Sequence, residues 1–210
     1  MNKHIIFDLD GTLIDSKNEI EETYTKVFKK NPPTNGVNYD IISYTATLHA
    51  NLERIYGQNT IEINNAKATF VNEYDNSEFE KTFLYPHVLN TIKMLHEKGI
   101  TLHVATNKRL TPTLRILEIK QMSKYITCVK ASDSIPNKIT SKIDMVKSIC
   151  TEYNLKNGYM IGDCEDDIIA GQLSDLLTVA VTYGYQKKDD LIKKKPTFVI
   201  DAFIDLLTII

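Results

Sequence analysis

Short apolar runs recur along the chain, and the stretches between them carry apolar residues at helical spacing. The runs at residues 5–7, 100–105, 125–129, 159–161, 178–181 and 198–200 are short, and most are rich in β-branched or aromatic residues, as buried strands are. Between them, Val88, Ile92, Leu95 and His96 fall on one helix face, and Gly99 stands where a helix C-terminus favours glycine. Ile143, Val146 and Ile149 repeat in the same way. Strands alternating with helices predict an α/β fold whose parallel sheet is covered on both faces.

The alternation breaks once. From about residue 15 to residue 83 there are helical stripes and no convincing strand. Ile20, Tyr24, Val27 and Phe28 form one stripe, stopped by Asn31-Pro32-Pro33; Ile63, Ala66, Phe70, Val71 and Tyr74 form another. The expected organisation is a core of residues 1–14 and 86–210 with an inserted all-helical cap of residues 15–85. Tyr85-Pro86 marks the return to the core.

Composition narrows the function classes. A chain of 210 residues fits one large domain or one domain with an insertion. Lys and Arg number 25 against 27 Asp and Glu, so charge makes no case for a nucleic-acid partner. The lysines at 187–188 and 193–195 are interrupted by Asp189 and Asp190 and read as a solvated helix face. Cys128, Cys150 and Cys164 are odd in number and widely spaced, which gives neither a disulfide framework nor a zinc motif. No apolar stretch reaches membrane-spanning length, and with no long apolar run ahead of the first strand no signal peptide is expected. The expectation is a cytoplasmic enzyme with free thiols and no membrane partner.

The chemistry gathers at strand ends, where parallel α/β sheets bind ligands. The first strand ends in Asp8-Leu9-Asp10-Gly11-Thr12, the second in Thr106-Asn107-Lys108, and the fourth in Gly162-Asp163, followed by Cys164-Glu165-Asp166-Asp167. Lys138 and Lys142 lie near a helix start between the third and fourth strands. Each piece alone has an ordinary reading: Asp-x-Asp and Gly-Asp as turns, Thr106-Asn107 as a helix cap, a lysine as a solvated side chain. Their joint order is what suits Mg2+ and a phosphoryl group, with hard oxygen ligands for the ion and donors for the phosphate.

These motifs carry a resemblance. Phe7-Asp8-Leu9-Asp10-Gly11-Thr12-Leu13-Ile14-Asp15-Ser16 resembles the first motif of the haloacid dehalogenase superfamily in its phosphatase form. Thr106-Asn107-Lys108 resembles the second motif, and Gly162-Asp163-Cys164-Glu165-Asp166-Asp167-Ile168 the fourth. Leu84-Tyr85-Pro86 and Val181-Thr182-Tyr183-Gly184-Tyr185 are also similar, and the phosphoglycolate-phosphatase-like branch matches best. For the third-motif lysine, Lys142 is favoured over Lys138. Two positions depart from many relatives: Asp175 and His87 stand where glycine is common. Asp tolerates the left-handed conformation such a glycine adopts, and His87 reads more simply as a helix-start residue than as a substrate contact.

The resemblance implies a Rossmann-like core with a helical cap and a phosphoric monoester hydrolase acting on a small phosphorylated metabolite, as a monomer or weak homodimer. It implies Asp8 as nucleophile, Asp10 as general acid and base, and Lys142 as charge-balancing cation. It further implies that Thr106 and Asn107 bind phosphate and that Mg2+ is held by Asp8, the backbone carbonyl of Asp10 and Asp163, with Asp167 as a second ligand or outer-shell group. A β-phosphoglucomutase-like phosphosugar mutase is the alternative; a receiver-type phospho-acceptor leaves the helical insertion unexplained, and a silent regulator leaves the full residue set unexplained. The substrate stays open. Tyr24, Tyr44, His49 and Arg54 are candidates to contact it, although each reads more simply as packing or surface.

Overall fold

Following the chain, β1 (His4–Phe7) and β2 (Ile14–Asp15) precede three helices, α1 (Lys17–Lys30), α2 (Leu48–Tyr56) and α3 (Thr60–Asp75). Then come β3 (Phe83–Leu84), α4 (Val88–Glu97), β4 (Thr101–Thr106), α5 (Leu110–Ile119), β5 (Ile126–Ala131), α6 (Lys142–Glu152), β6 (Gly158–Gly162) and α7 (Glu165–Gln172). β7 (Leu177–Val181), α8 (Lys188–Lys193), β8 (Phe198–Ile200) and α9 (Leu206–Ile209) complete it. The computed structural model describes residues 3–34, 36–135, 138–155 and 157–210. The chain divides into two units, Met1–Asp15 with Leu84–Ile210, and Ser16–Phe83.

The first unit is built on a six-stranded parallel sheet in the order β5-β4-β1-β6-β7-β8. β1 lies inside the sheet between β4 and β6, and elements packed on the sheet cover both of its faces; Ile5, Ile6 and Phe7 have no exposed surface. That is why the strand reads as an unbroken apolar run instead of an alternation. On one face, Ile6, Ala105 and Met160 pack with Met145, Val146 and Ile149 of α6 and Ala170 of α7. Phe7 meets Phe203 with ring centroids 5.7 Å apart. The strands expected from the sequence all form, with boundaries moved by one or two residues.

Two expectations are corrected. The stretch taken as strand-free begins and ends in strands: β2 and β3 pair with each other where the chain leaves and re-enters the sheet unit. Two residues are too few to show periodicity. In α4, Val88, Ile92 and Leu95 are buried but His96 is exposed, its ring edge-on to Tyr125 at 5.4 Å. At 3.6 residues per turn His96 lies about 80° around the axis from Val88, beyond the stripe that Leu95 and Ile92 define. Gly99 follows the helix at φ +76°, a left-handed conformation that favours glycine, and its N–H donates to the His96 carbonyl at 2.9 Å.

Within the sheet unit, His4 Nδ1 and His103 Nε2 lie 3.1 Å apart, with rings inclined by 7° and centroids 5.4 Å apart. The two rings meet nitrogen to nitrogen, at the distance of a hydrogen bond whose direction the tautomer sets. Burial, aided by the positive potential of His4, pushes His103 down to about 4. An imidazole that stays neutral in the fold but protonates near pH 6.5 when unfolded contributes its full stability above pH 6.5. That contribution is lost as pH falls toward 4. The loss reaches about 3 kcal/mol, because each pH unit between the unfolded and folded values is worth about 1.4 kcal/mol. His103→Phe is expected to flatten the decline in melting temperature between pH 6.5 and 4, measured against the parent chain.

The second unit is helical up to the start of β3 among the described residues. α1 and α3 pack through Tyr24 and Phe70, with centroids 4.9 Å apart, and the aromatic contacts continue from Phe70 to Tyr74 to Phe79. α1 ends at Lys30, with Asn31 as its C-cap ahead of Pro32-Pro33. α2, which no stripe announced, buries Leu52, Ile55 and Tyr56. The carboxylate of Glu19 is buried and accepts from Ser77 Oγ and from the Lys81 N–H at 2.9 Å. Among the described residues, no helix of the chain is long and apolar enough to cross a membrane.

Candidate active site

Sheet order brings the chemistry together. Because β4, β1 and β6 are neighbours and parallel, their carboxyl ends place Thr106, Asp8 and Asp163 side by side. After β1 the chain folds tightly back: the N–H groups of Leu13 and Ile14 both donate to the Leu9 carbonyl at 2.9 and 3.0 Å, and Gly11 turns at φ +84°. α6 begins at Lys142, set by Ser141, whose Oγ accepts from the Asp144 N–H at 3.1 Å. α7 begins just after Asp163 and carries Asp167 in its first turn.

Three carboxylates converge. One oxygen each from Asp8, Asp163 and Asp167 lie within 4.8 Å of one another, and all three residues are buried. Lys142, also buried, hydrogen-bonds Asp8 Oδ1, donates to the Ala105 carbonyl at 2.9 Å, and sits 2.9 Å from Asp167 Oδ1. Asp163 is held by the Thr12 hydroxyl at 3.3 Å and the Tyr185 N–H at 2.7 Å. Asp167 Oδ2 accepts from the Cys164 N–H and Sγ, each at 3.1 Å. The other lysine candidate, Lys138, is exposed.

Asp10 stands apart from this cluster. Its Oδ2 lies 3.1 Å from Lys108 Nζ, with side-chain exposures of 11% and 7%. The loop that carries Lys108 is pinned along its length. Thr106 Oγ1 accepts from the Lys108 N–H at 3.1 Å, Ser132 donates to the Lys108 carbonyl from N and Oγ, and Asp133 accepts from the Leu110 N–H at 2.7 Å. Thr106 is 1% exposed, and Asn107 beside it is half-buried.

The electrostatics follow from burial. Desolvation pushes Asp8 well above the usual carboxylate range; Lys142 pulls it back, while Asp167 and Asp163 push it further up. Asp163 is pushed up to about 7 by burial and then by Asp167, against the Tyr185 N–H and Lys142. For Lys142, burial alone favours the neutral amine, but Asp167 and Asp8 outweigh it and hold the ammonium. Three carboxylates against one ammonium leave the cluster short of positive charge. Buried, converging oxygen donors of this kind fit a hard divalent cation.

Glycines clear the room for this crowding. A Cβ on Gly162 would strike the Asp167 carboxylate, and one on Gly184 would strike both the Asp163 side chain and the Gly11 carbonyl. Gly184 sits between Tyr183, whose hydroxyl donates to the Thr12 carbonyl at 2.9 Å, and Tyr185, whose hydroxyl donates to Asp15 at 3.0 Å. The loop after β7 thus packs against Asp163.

Of the residues singled out from sequence, Asp8, Asp163, Asp167 and Lys142 come together, Thr106 lies at the neighbouring strand end, and Asp10 pairs with Lys108. The four cap candidates are engaged within their own unit. Tyr24 is core, and the Tyr44 hydroxyl bonds Glu21. His49 faces Glu53 at 3.4 Å, and Arg54 donates to Asn51 at 3.2 Å. His87 is the N-cap of α4 at φ +67°, and Asp175 turns at φ +56°. The C-terminal lysines pair at the surface, Lys188 with Asp201, Lys193 with Asp190 and Lys194 with Glu165. Sequence reasoning missed the Lys108 pairing, the Cys164 bonds to Asp167 and the fit of Gly184. Only Gly184, a glycine between two tyrosines just past a strand, carried a readable signal.

Comparison with known proteins gives a consistent picture. The family model described as haloacid dehalogenase-like hydrolase matches residues 5–181. A phosphoglycolate phosphatase of Psychrobacter arcticus is 29% identical, the alignment covering 97% of this chain and 93% of that protein. A pyrophosphatase of Anoxybacillus flavithermus is 24% identical over 98% of this chain and 95% of its own length. The solved structure of a predicted phosphoglycolate phosphatase from Haemophilus somnus shares the fold at a TM-score of 0.85 and 23% identity, covering 99% of this chain and 97% of that one.

Proposed function

This chain belongs to the haloacid dehalogenase-like hydrolases and is a phosphatase, and from that premise we propose that it hydrolyses a small phosphorylated metabolite of the phosphoglycolate-like class through an aspartyl-phosphate on Asp8, with Mg2+ as cofactor. The observation that carries this reading is the buried convergence of Asp8, Asp163 and Asp167 around the Lys142 ammonium. A carboxylate is held there where it can be both nucleophile and ligand. The names of the Psychrobacter and Anoxybacillus relatives support a small substrate.

Each residue then has a task. An Asp8 oxygen attacks phosphorus while the ester oxygen leaves with a proton from Asp10; Asp10 next takes the proton of the water that opens the acyl phosphate. Lys142 keeps Asp8 aligned and offsets charge gathering on the phosphoryl oxygens. Thr106 donates its hydroxyl to the phosphoryl group, with Asn107 beside it. Asp8, the Asp10 carbonyl, Asp163 and Asp167 would hold Mg2+, which when bound lets an anionic nucleophile approach an anionic ester. The core of residues 1–14 and 86–210 supplies the phosphate and cation chemistry, and the cap of residues 15–85 adds to the discrimination among substrates.

Phosphate release should be measured across phosphoglycolate, pyrophosphate, nucleoside monophosphates and hexose phosphates, with Mg2+ and with EDTA. Release is expected on at least one of them, falling to background on chelation. Activity indifferent to EDTA would remove the cation from the reading. Interconversion of hexose phosphates without net release would replace hydrolysis by a mutase reaction.

A further inference from the structure

Lys108 takes no part in the reaction set out above, yet its place is built. A lysine in the loop after a strand normally runs its stem along the surface and keeps its ammonium in water. Here the side chain is 7% exposed and the ammonium lies 3.1 Å from Asp10 Oδ2. The backbone beneath it is fixed by Thr106 Oγ1 at its N–H and by both donors of Ser132 at its carbonyl. Holding a long side chain in one rotamer costs conformational entropy.

The partner is what gives this pairing meaning. Asp10 has to reach the leaving oxygen first and the attacking water second, and an ion pair in a nearly closed site ties its carboxylate to one place. Breaking such a pair outright leaves two uncompensated charges out of water. Exchanging one anion for another leaves the ammonium paired throughout.

Resting on the reading of Asp10 as the group that moves the proton, we infer that Lys108 is a positioning and selectivity residue. It holds the Asp10 carboxylate in the resting chain and hands it over when a second anionic group of the substrate, a carboxylate or another phosphate, takes its place. Among the phosphoglycolate-like substrates already proposed, it is those with a second anionic group close to the ester oxygen that can make this exchange. An ester with a neutral group there binds its phosphoryl end equally well but cannot free Asp10 by exchange. Lys108 forms no bond with phosphorus and transfers no proton.

The test compares a matched pair, phosphoglycolate and 2-hydroxyethyl phosphate, which differ in carrying a carboxylate or an alcohol. kcat and KM are measured with Mg2+ for the parent chain, Lys108→Met, Lys108→Gln and Lys108→Arg. The parent is expected to favour phosphoglycolate at least tenfold in kcat/KM, with a higher kcat as well as a lower KM. Both neutral variants are expected to lose at least tenfold more on phosphoglycolate than on the alcohol, so that the preference collapses, and Lys108→Arg to restore most of it. A general structural defect would lower both substrates together and leave their ratio standing; that result, or a parent with no preference, overturns the inference. A parent that releases no phosphate from p-nitrophenyl phosphate either would instead sink the phosphatase reading beneath it.

Discussion

Asp8→Asn is expected to lower kcat by at least about four orders of magnitude, the scale on which loss of a nucleophile is felt, and at the same time to raise the melting temperature of the metal-free protein. The two effects share one cause. The Asp8 carboxylate is buried, and the charges of Asp167 and Asp163 push against it. Asn has the same shape and still offers Lys142 an acceptor oxygen, but it brings no charge into the cluster and cannot form an acyl phosphate. Function and stability therefore pull in opposite directions at this position, as they do where strain is kept for chemistry. Phosphate release and thermal melts in EDTA read the two effects separately. A residual rate within tenfold of the parent would take the nucleophile's role away from Asp8.

Lys142→Met is expected to destabilise the sheet unit by about 3–5 kcal/mol in the absence of metal, because it leaves buried carboxylates without their cation. It should also lower kcat by at least about a hundredfold, the size of effect seen when one preorganised charge-stabilising group is removed. Lys142 touches Asp8, Asp167 and the Ala105 carbonyl at once, so no neighbour can replace it. Added Mg2+ should recover part of the lost stability without recovering the rate, since an ion can offset the charge but cannot hold Asp8 in line. Lys138→Met is the control. That side chain is exposed, and its removal should change stability by no more than about 0.5 kcal/mol. Equal effects at the two positions would contradict the assignment.

The sheet was legible because its signal is local and repeated. Each strand holds a short apolar run, and in β1, β4, β6 and β7 burial on both faces removes most of the polar alternation that would blur it. The insertion was legible as helices because Tyr24, Val27 and Phe28, and Ile63, Ala66 and Phe70, recur at helical spacing. What stayed hidden has physical reasons too. β2 and β3 have two residues each, and α2 is short with no charged cap box to announce it. His96 fell at the edge of a stripe where one residue's rotation decides burial. At the site, residue types and order could be read along the chain, but pairings could not. Nothing in Thr106-Asn107-Lys108 says that the lysine turns inward to Asp10, and nothing in Gly162-Asp163-Cys164 says that the thiol donates to Asp167. Such pairings depend on which strand ends are neighbours, and adjacency in a crossed-over sheet is not written in any one segment.

The Asp8–Lys142 pair joins residues 134 apart in sequence, Thr12 reaches Asp163 across 151, and Tyr185 reaches Asp15 across 170. Contacts of such separation form late, because long loops must close before they are rewarded. In chain order β1 comes before its sheet neighbours β4 and β6, and the loop carrying Tyr185 comes later still. The carboxylate cluster thus has no partial form: a chain cut before residue 163 would keep Asp8 and Lys142 but lose both Asp163 and Asp167. Completion of the cluster therefore waits on closure of the whole sheet and not on any one segment.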